Sequence, residues 1–205
     1  MENLISIREK INRMAELTFS MLKTTFDGFM KHDLDILANV LKDEQRLNEM
    51  EKAITVSLIE ISKAKITVSD KKNIMLLTNI VADSEEIGDY IKDMIERIEI
   101  KIQEKLLFSD EALSEYRHLY SIVETALKDL VNSLETNDKN FAKRVLRDKE
   151  HVDTLVEKYR NAHMQRLMSD ICDPRAGNMF LNLLDFTSQV YHHTKGIAKY
   201  ILKLK

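Results

Sequence analysis

Val40 to Glu51 reads VLKDEQRLNEME, and VLRDKEHVDTLV, which begins at Val145, repeats its opening. The offset, 145 − 40 = 105, is about half of the 205-residue chain. At that offset Asp33 falls on Asp138, Val40 on Val145, Leu41 on Leu146 and Asp43 on Asp148. Lys42 meets Arg147, Leu47 meets Val152 and Met50 meets Leu155. The agreement extends upstream, where Ile11, Met14, Leu17, Leu22, Phe26 and Phe29 fall on Tyr116, Leu119, Ile122, Leu127, Val131 and Leu134. Apolar phase and polar identity agree together, which reads as an internal duplication.

One Pro and 4 Gly are very few for this length. Sheets and hairpins need turn residues at short intervals, whereas helices exclude Gly and Pro from their interiors, so the composition indicates an all-α chain. It also leaves no Gly-rich phosphate cradle. The single Cys172 rules out an intramolecular disulfide and reads as a small buried hydrophobe in a reducing compartment. Net charge is −3 with both signs interspersed, which is no footprint for nucleic acid. MENLISIREK lacks the pattern of a secretory leader, and no run approaches the ~20 apolar residues of a membrane span. A cytoplasmic location is expected.

Apolar spacing of three and four predicts a helix over 5–31 and a second over 33–63 capped by Asp33. A third is predicted over about 70–107, with Ser69 and Asp70 as its cap. The second copy repeats the plan. A helix over 111–135 follows a Ser109 or Asp110 cap, the next runs from a break at 136–138 to about 169, and the last spans about 179–204 after an interruption at DICDPRAGN. The expected architecture is two tandem three-helix bundles, 1–108 and 109–205, packed side by side with pseudo-twofold symmetry. Breaks at 32–35 and 136–138 argue against a single coiled-coil rod.

On the third helix Glu85, Asp89 and Asp93 are spaced by four and share a face. Gly88, inside that helix, costs about 1 kcal/mol relative to Ala and suggests close approach of another backbone or a ligand. Glu44 and Asn48 are four apart on the second helix. If the two helices face each other antiparallel, four oxygen-bearing side chains converge, as helical bundles arrange them around metal ions. In a chain with 32% charged residues, carboxylate pairs at this spacing are also what any solvated helix face contains.

The run DSEEIGDYIKDMIERI resembles the third-helix signature of the phosphate-uptake regulator (PhoU-like) family. Glu85, Ile87, Gly88 and Asp89 match it, while Glu86 stands where a basic residue is usual. The duplicated plan matches too, and VLKDEQRLNEMEKAI and VLRDKEHVDTLVEKY resemble the family's second helix in each copy. The resemblance implies a non-enzymatic regulator of phosphate uptake and homeostasis that binds a phosphate transporter or a membrane-associated sensor kinase. It would have no transmembrane segment of its own and would sit in the cytoplasm, peripheral to the inner face of the membrane. A homodimer is compatible with that plan. The alternatives are the soluble C-terminal domain of a sodium-phosphate cotransporter and a metal-storage bundle.

The resemblance also implies divalent or iron- or zinc-type metal ions, and no organic cofactor, on an acidic residue followed four positions later by Asp. Carried over, the first copy offers Glu44, Asn48, Glu85 and Asp89. The second offers Lys149 with Asp153 and Ser188 with His192, so a site there would rest on Asp153 and His192, with Asp148, Glu150 or Asp185 in reach. Adjacent His192 and His193 project about 100° apart on a helix and do not easily serve one ion. Any metal is therefore expected on the first copy. A diiron oxidase would need Glu-x-x-His on two helices, and only Glu115 to His118 has it.

Overall fold

The computed structural model describes residues 4–64, 66–147 and 151–205. Seven helices make up the described chain: α1 (Leu4–Lys31), α2 (Leu34–Ser62), α3 (Val68–Gln103), α4 (Asp110–Thr136), α5 (Lys139–Leu146), α6 (Val152–Met168) and α7 (Pro174–Lys203). None of them is long and apolar enough to cross a membrane.

Local chemistry sets most of the boundaries. Asp33 caps α2 by accepting from Ile36 N at 3.0 Å, and its repeat equivalent Asp138 caps α5 by accepting from Asn140 N at 2.9 Å. The residue before each is left-handed, His32 at φ 54° and Asn137 at φ 56°, so both copies make the same turn between their first two helices. At α4 the cap is Ser109, which accepts from Ala112 N at 3.2 Å. For α3 it is Thr67, two residues earlier than expected. Asp70 sits at the third helical position, where its carboxylate accepts from Thr67 N in return, completing a capping box. Similarly α7 begins at Pro174, whose fixed φ suits a first helical position, behind an Asp173 cap. The expected start near Met179 is therefore five residues late.

The larger correction lies in the second repeat, where one helix was expected over 138–169. Here α5 ends with Arg147 at φ −83°, ψ 70°, and α6 starts after His151, left-handed at φ 46°. The chain leaves and re-enters helical geometry without a Gly or Pro. Six expected helices are thus seven.

Within the first repeat α1, α2 and α3 pack against one another, and in the second α4 and α7 pack against each other and against both α5 and α6. The repeats meet through α3 against α7 and α1 against α4. Each of these pairs joins helices that are equivalent in the duplication, as a twofold relation requires. The α1–α4 seam is aromatic: Phe26 stacks on Tyr120 with centroids 3.8 Å apart, and Phe29 meets Tyr116 edge-on at 5.3 Å.

Candidate functional site

The α2–α3 contact is set by Gly88. A Cβ there would overlap Leu47 Cδ2, so α2 lies closer to α3 than any larger residue would allow. The close approach expected from the sequence is real, but what approaches is the Leu47 side chain and not a backbone or a ligand. Leu47 is fully buried and lies between Glu44 and Asn48, so its seat fixes the height of both against Glu85 and Asp89.

Glu44 is only 4% exposed. Its Oε1 accepts from Asn48 Nδ2 at 2.9 Å and lies 3.5 Å from Lys92 Nζ. Partial burial holds the Glu85 carboxyl above the usual carboxylate range, reinforced by the charges of Asp89, Glu86, Glu51 and Glu44. Asp89 is raised in the same way, by desolvation first and then by Glu44, with Lys92 opposing. One turn on, Asp93 is also raised, by desolvation and then by Glu96. Glu44, Glu85 and Asp89 therefore share one field across the two helices. Beside them Asn48 Oδ1 is shielded from solvent and has no hydrogen-bond partner among the described residues.

An orphaned amide oxygen among mutually repelling carboxylates fits a cation. The ligand cage, however, is not closed, because no three His, Cys, Asp or Glu side chains among the described residues stand close enough together to hold an ion. A cation here would have to draw Glu85 and Asp89 toward Glu44 and displace Lys92.

In the second repeat, Lys149, Asp148 and Glu150 lie outside the described residues. Asp153 and His192 do meet, with Oδ1 2.9 Å from Nε2, and Ser188 Oγ lies 3.4 Å from that same nitrogen. A nucleophilic triad needs its hydroxyl and carboxylate on opposite ring nitrogens, so this trio is no serine-hydrolase centre. Asp185 is engaged by Arg160 Nη2 at 2.5 Å.

The adjacent histidines diverge as the helix geometry requires. His193 turns across the seam to Asp83 of α3, with Nδ1 3.0 Å from Oδ1. That bond holds the imidazole above its ordinary range. Gly196 makes room for this carboxylate, since a Cβ there would stand 2.5 Å from Asp83 Oδ2. Glu115 and His118 are occupied structurally: Glu115 accepts both terminal nitrogens of Arg166 at 3.1 and 2.6 Å, and His118 Nδ1 lies 2.7 Å from Tyr159 Oη.

Two buried bases escape sequence reasoning altogether. His163 is 2% exposed, neither ring nitrogen has a hydrogen-bond partner among the described residues, and the ring is pressed against Phe180 and Gly177. Lys101, in the last turn of α3, is also buried.

The PhoU domain model matches residues 11–98 and 116–201, two copies whose starts are separated by the 105-residue offset. The phosphate-specific transport system accessory protein PhoU of Escherichia coli is 27% identical over 170 residues, which cover 80% of this chain and 68% of that protein. A PhoU homologue from Clostridium acetobutylicum is 19% identical over 199 residues, 96% of this chain and 90% of the relative. Among solved structures, PhoU from Pseudomonas aeruginosa superposes with a TM-score of 0.89 at 21% identity, covering 98% of this chain and 96% of that one. The phosphate transport system regulatory protein PhoU from Streptococcus pneumoniae gives 0.86 at 13%, over 98% and 94%. Both repeats match one family model along most of their length, and the chain belongs to the PhoU family.

Proposed function

We propose that this chain is a non-enzymatic regulator of phosphate uptake that works by binding a phosphate transporter or that transporter's signalling partner at the inner face of the membrane. The observation that carries this reading is the match of both repeats to the PhoU domain, together with relatives described as accessory proteins of a phosphate-specific transport system. The site chemistry agrees with a binding role. Its polar groups form a carboxylate face, an amide oxygen without a donor among the described residues, and two histidines that each meet an aspartate.

Cells lacking the chain should lose the normal adjustment of radiolabelled phosphate uptake to external phosphate. Tagged protein should recover transporter or sensor-kinase subunits from membranes, to different extents in phosphate-rich and phosphate-starved cells. Unchanged uptake with no such subunit recovered under either condition would overturn the proposal.

Metal dependence is part of the same reading. A divalent or iron- or zinc-type ion would sit on Glu44, Asn48, Glu85 and Asp89, because that is where anionic oxygens repel one another and an amide oxygen has no donor. Bound there, the ion would relieve the repulsion and fix α2 against α3. In the second repeat Asp153 already has His192 as a neighbour and offers a cation less.

A further inference from the structure

Lys101 is 4% exposed and has no carboxylate partner among the described residues. Its ammonium lies 3.3 Å from His32 Nε2, 5.4 Å from the Phe29 ring centroid and 5.0 Å from that of Phe108. The ring faces offset part of the charge. A counter-ion is what the site lacks, and an unpaired buried ammonium is among the costlier groups a protein can keep. Burial accordingly lowers the Lys101 pKa from the ordinary lysine value.

Lys101 lines a pocket of about 190 Å³ at the junction of the repeats. Phe29 and Met30 at the end of α1, His32 of the α1–α2 turn, Leu107 and Phe108 of the connection to α4, and Leu113 of α4 form its other walls. Leu107 is 75% exposed at the lip, an apolar side chain held in water. The volume is that of roughly six waters, below the ~300 Å³ at which drug-sized sites begin, so an occupant is fragment-sized.

We propose that this pocket binds a small apolar carboxylate, a short-chain or aromatic acid, with its carboxylate on Lys101 and its hydrocarbon part against Phe29, Leu107 and Phe108. The wall chemistry selects this class. A phosphate dianion needs several donors to replace its hydration, and here one ammonium and one imidazole face otherwise apolar walls. An uncharged alcohol would leave the ammonium unpaired. A monoanionic carboxylate satisfies both halves of the pocket at once. Because the walls come from both repeats, the occupant would tie the α1–α2 turn to the first turn of α4. The proposal is independent of the phosphate-uptake reading and of the carboxylate face on α2 and α3.

The test is calorimetric titration and thermal unfolding of the full chain with hexanoate, benzoate, hexanol and inorganic phosphate. Hexanoate or benzoate should bind and raise the Tm, whereas hexanol and phosphate at equal concentration should not. Lys101→Met removes a desolvated charge at similar volume, so it should fold at least as stably and weaken hexanoate by about tenfold or more. Leu107→Ser, on the exposed lip, leaves the core intact and should weaken hexanoate several-fold, which keeps the proposal testable if Lys101→Met fails to fold. Absence of carboxylate binding, equal binding by hexanol, a response to phosphate alone, or undiminished hexanoate affinity in either variant would overturn it.

Discussion

Replacing Gly88 with Ala sets two effects of opposite sign against each other. In an exposed helix interior the change favours Ala by about 1 kcal/mol, because Gly has more backbone freedom to lose on folding. At this position the new Cβ would overlap Leu47 Cδ2 and reach within 3.9 Å of Met21 Cε. Leu47 and Met21 are both buried, so neither can swing into solvent. Overpacking of this kind costs about 1 to 3 kcal/mol. The clash therefore wins, for a net loss of up to about 2 kcal/mol. In a chain of this length the Tm falls roughly 2 to 4 °C for each kcal/mol. Urea unfolding followed by far-UV circular dichroism reads the change as a lower midpoint at unchanged slope. Leu47→Ala alone should cost about 2 to 5 kcal/mol by opening a cavity. The methyl group that Gly88→Ala introduces would fill part of that cavity, so the double variant should fall short of additivity by about 1 kcal/mol. If Gly88→Ala stabilises the chain, or if the two changes are additive, then Leu47 does not set the spacing of α2 and α3.

Glu85→Gln with Asp89→Asn should abolish metal bound to purified, untagged protein, read by elemental analysis, with little change in helical content; undiminished metal would return the carboxylate row to an ordinary solvated face. His163 and His193 should give stability a pH dependence with two limbs. Burial lowers the His163 pKa, so the unfolded chain takes up the proton first, and stability is lost as pH falls through the unfolded value near 6.5; His163→Leu should flatten that acid limb of the Tm profile. The Asp83 bond raises the His193 pKa, so its contribution is full below about 6.5 and disappears as pH rises through the higher folded value; Asp83→Asn should flatten that limb and leave the acid one in place.

What the sequence made legible was mostly what local chemistry decides. Asp33 and Asp138 cap helices because a carboxylate one residue outside a helix reaches free N–H groups regardless of tertiary structure. The divergence of His192 and His193 follows from helix rotation alone. Their partners do not: Asp83 is 110 residues from His193 and becomes its neighbour only when α3 packs on α7. Lys101 shows the same limit, because a lysine in the last turn of a helix normally reads as a solvated cation on the macrodipole. Its burial comes from Phe29 and Phe108, which other segments supply. The break between α5 and α6 carried no Gly or Pro to announce it. Gly88 announced a close neighbour, but only packing identified it as Leu47.

The two repeats share a backbone plan but not an electrostatic one, and the difference bears on what each can respond to. Glu85 and Asp89 of α3 correspond to Ser188 and His192 of α7, so a repelling carboxylate pair in one repeat stands where a hydroxyl and an imidazole stand in the other. In the first repeat the raised carboxyls represent standing strain, because desolvation and neighbouring charge both oppose ionisation. A cation relieves such strain, and whatever binds the folded form preferentially also stabilises it. In the second repeat His192 already neighbours Asp153, and little repulsion is left to relieve. Cation binding on the proposed site would thus tighten α2 on α3 without a matching change between α6 and α7. Since α3 is also the helix that packs on α7, and Asp83 reaches His193 across that seam, the repeat that carries the proposed site and the repeat that lacks its carboxylates are joined through one helix. The duplication supplies the symmetric seam, and on the proposed site the divergence in charge would leave one side of it responsive to a cation.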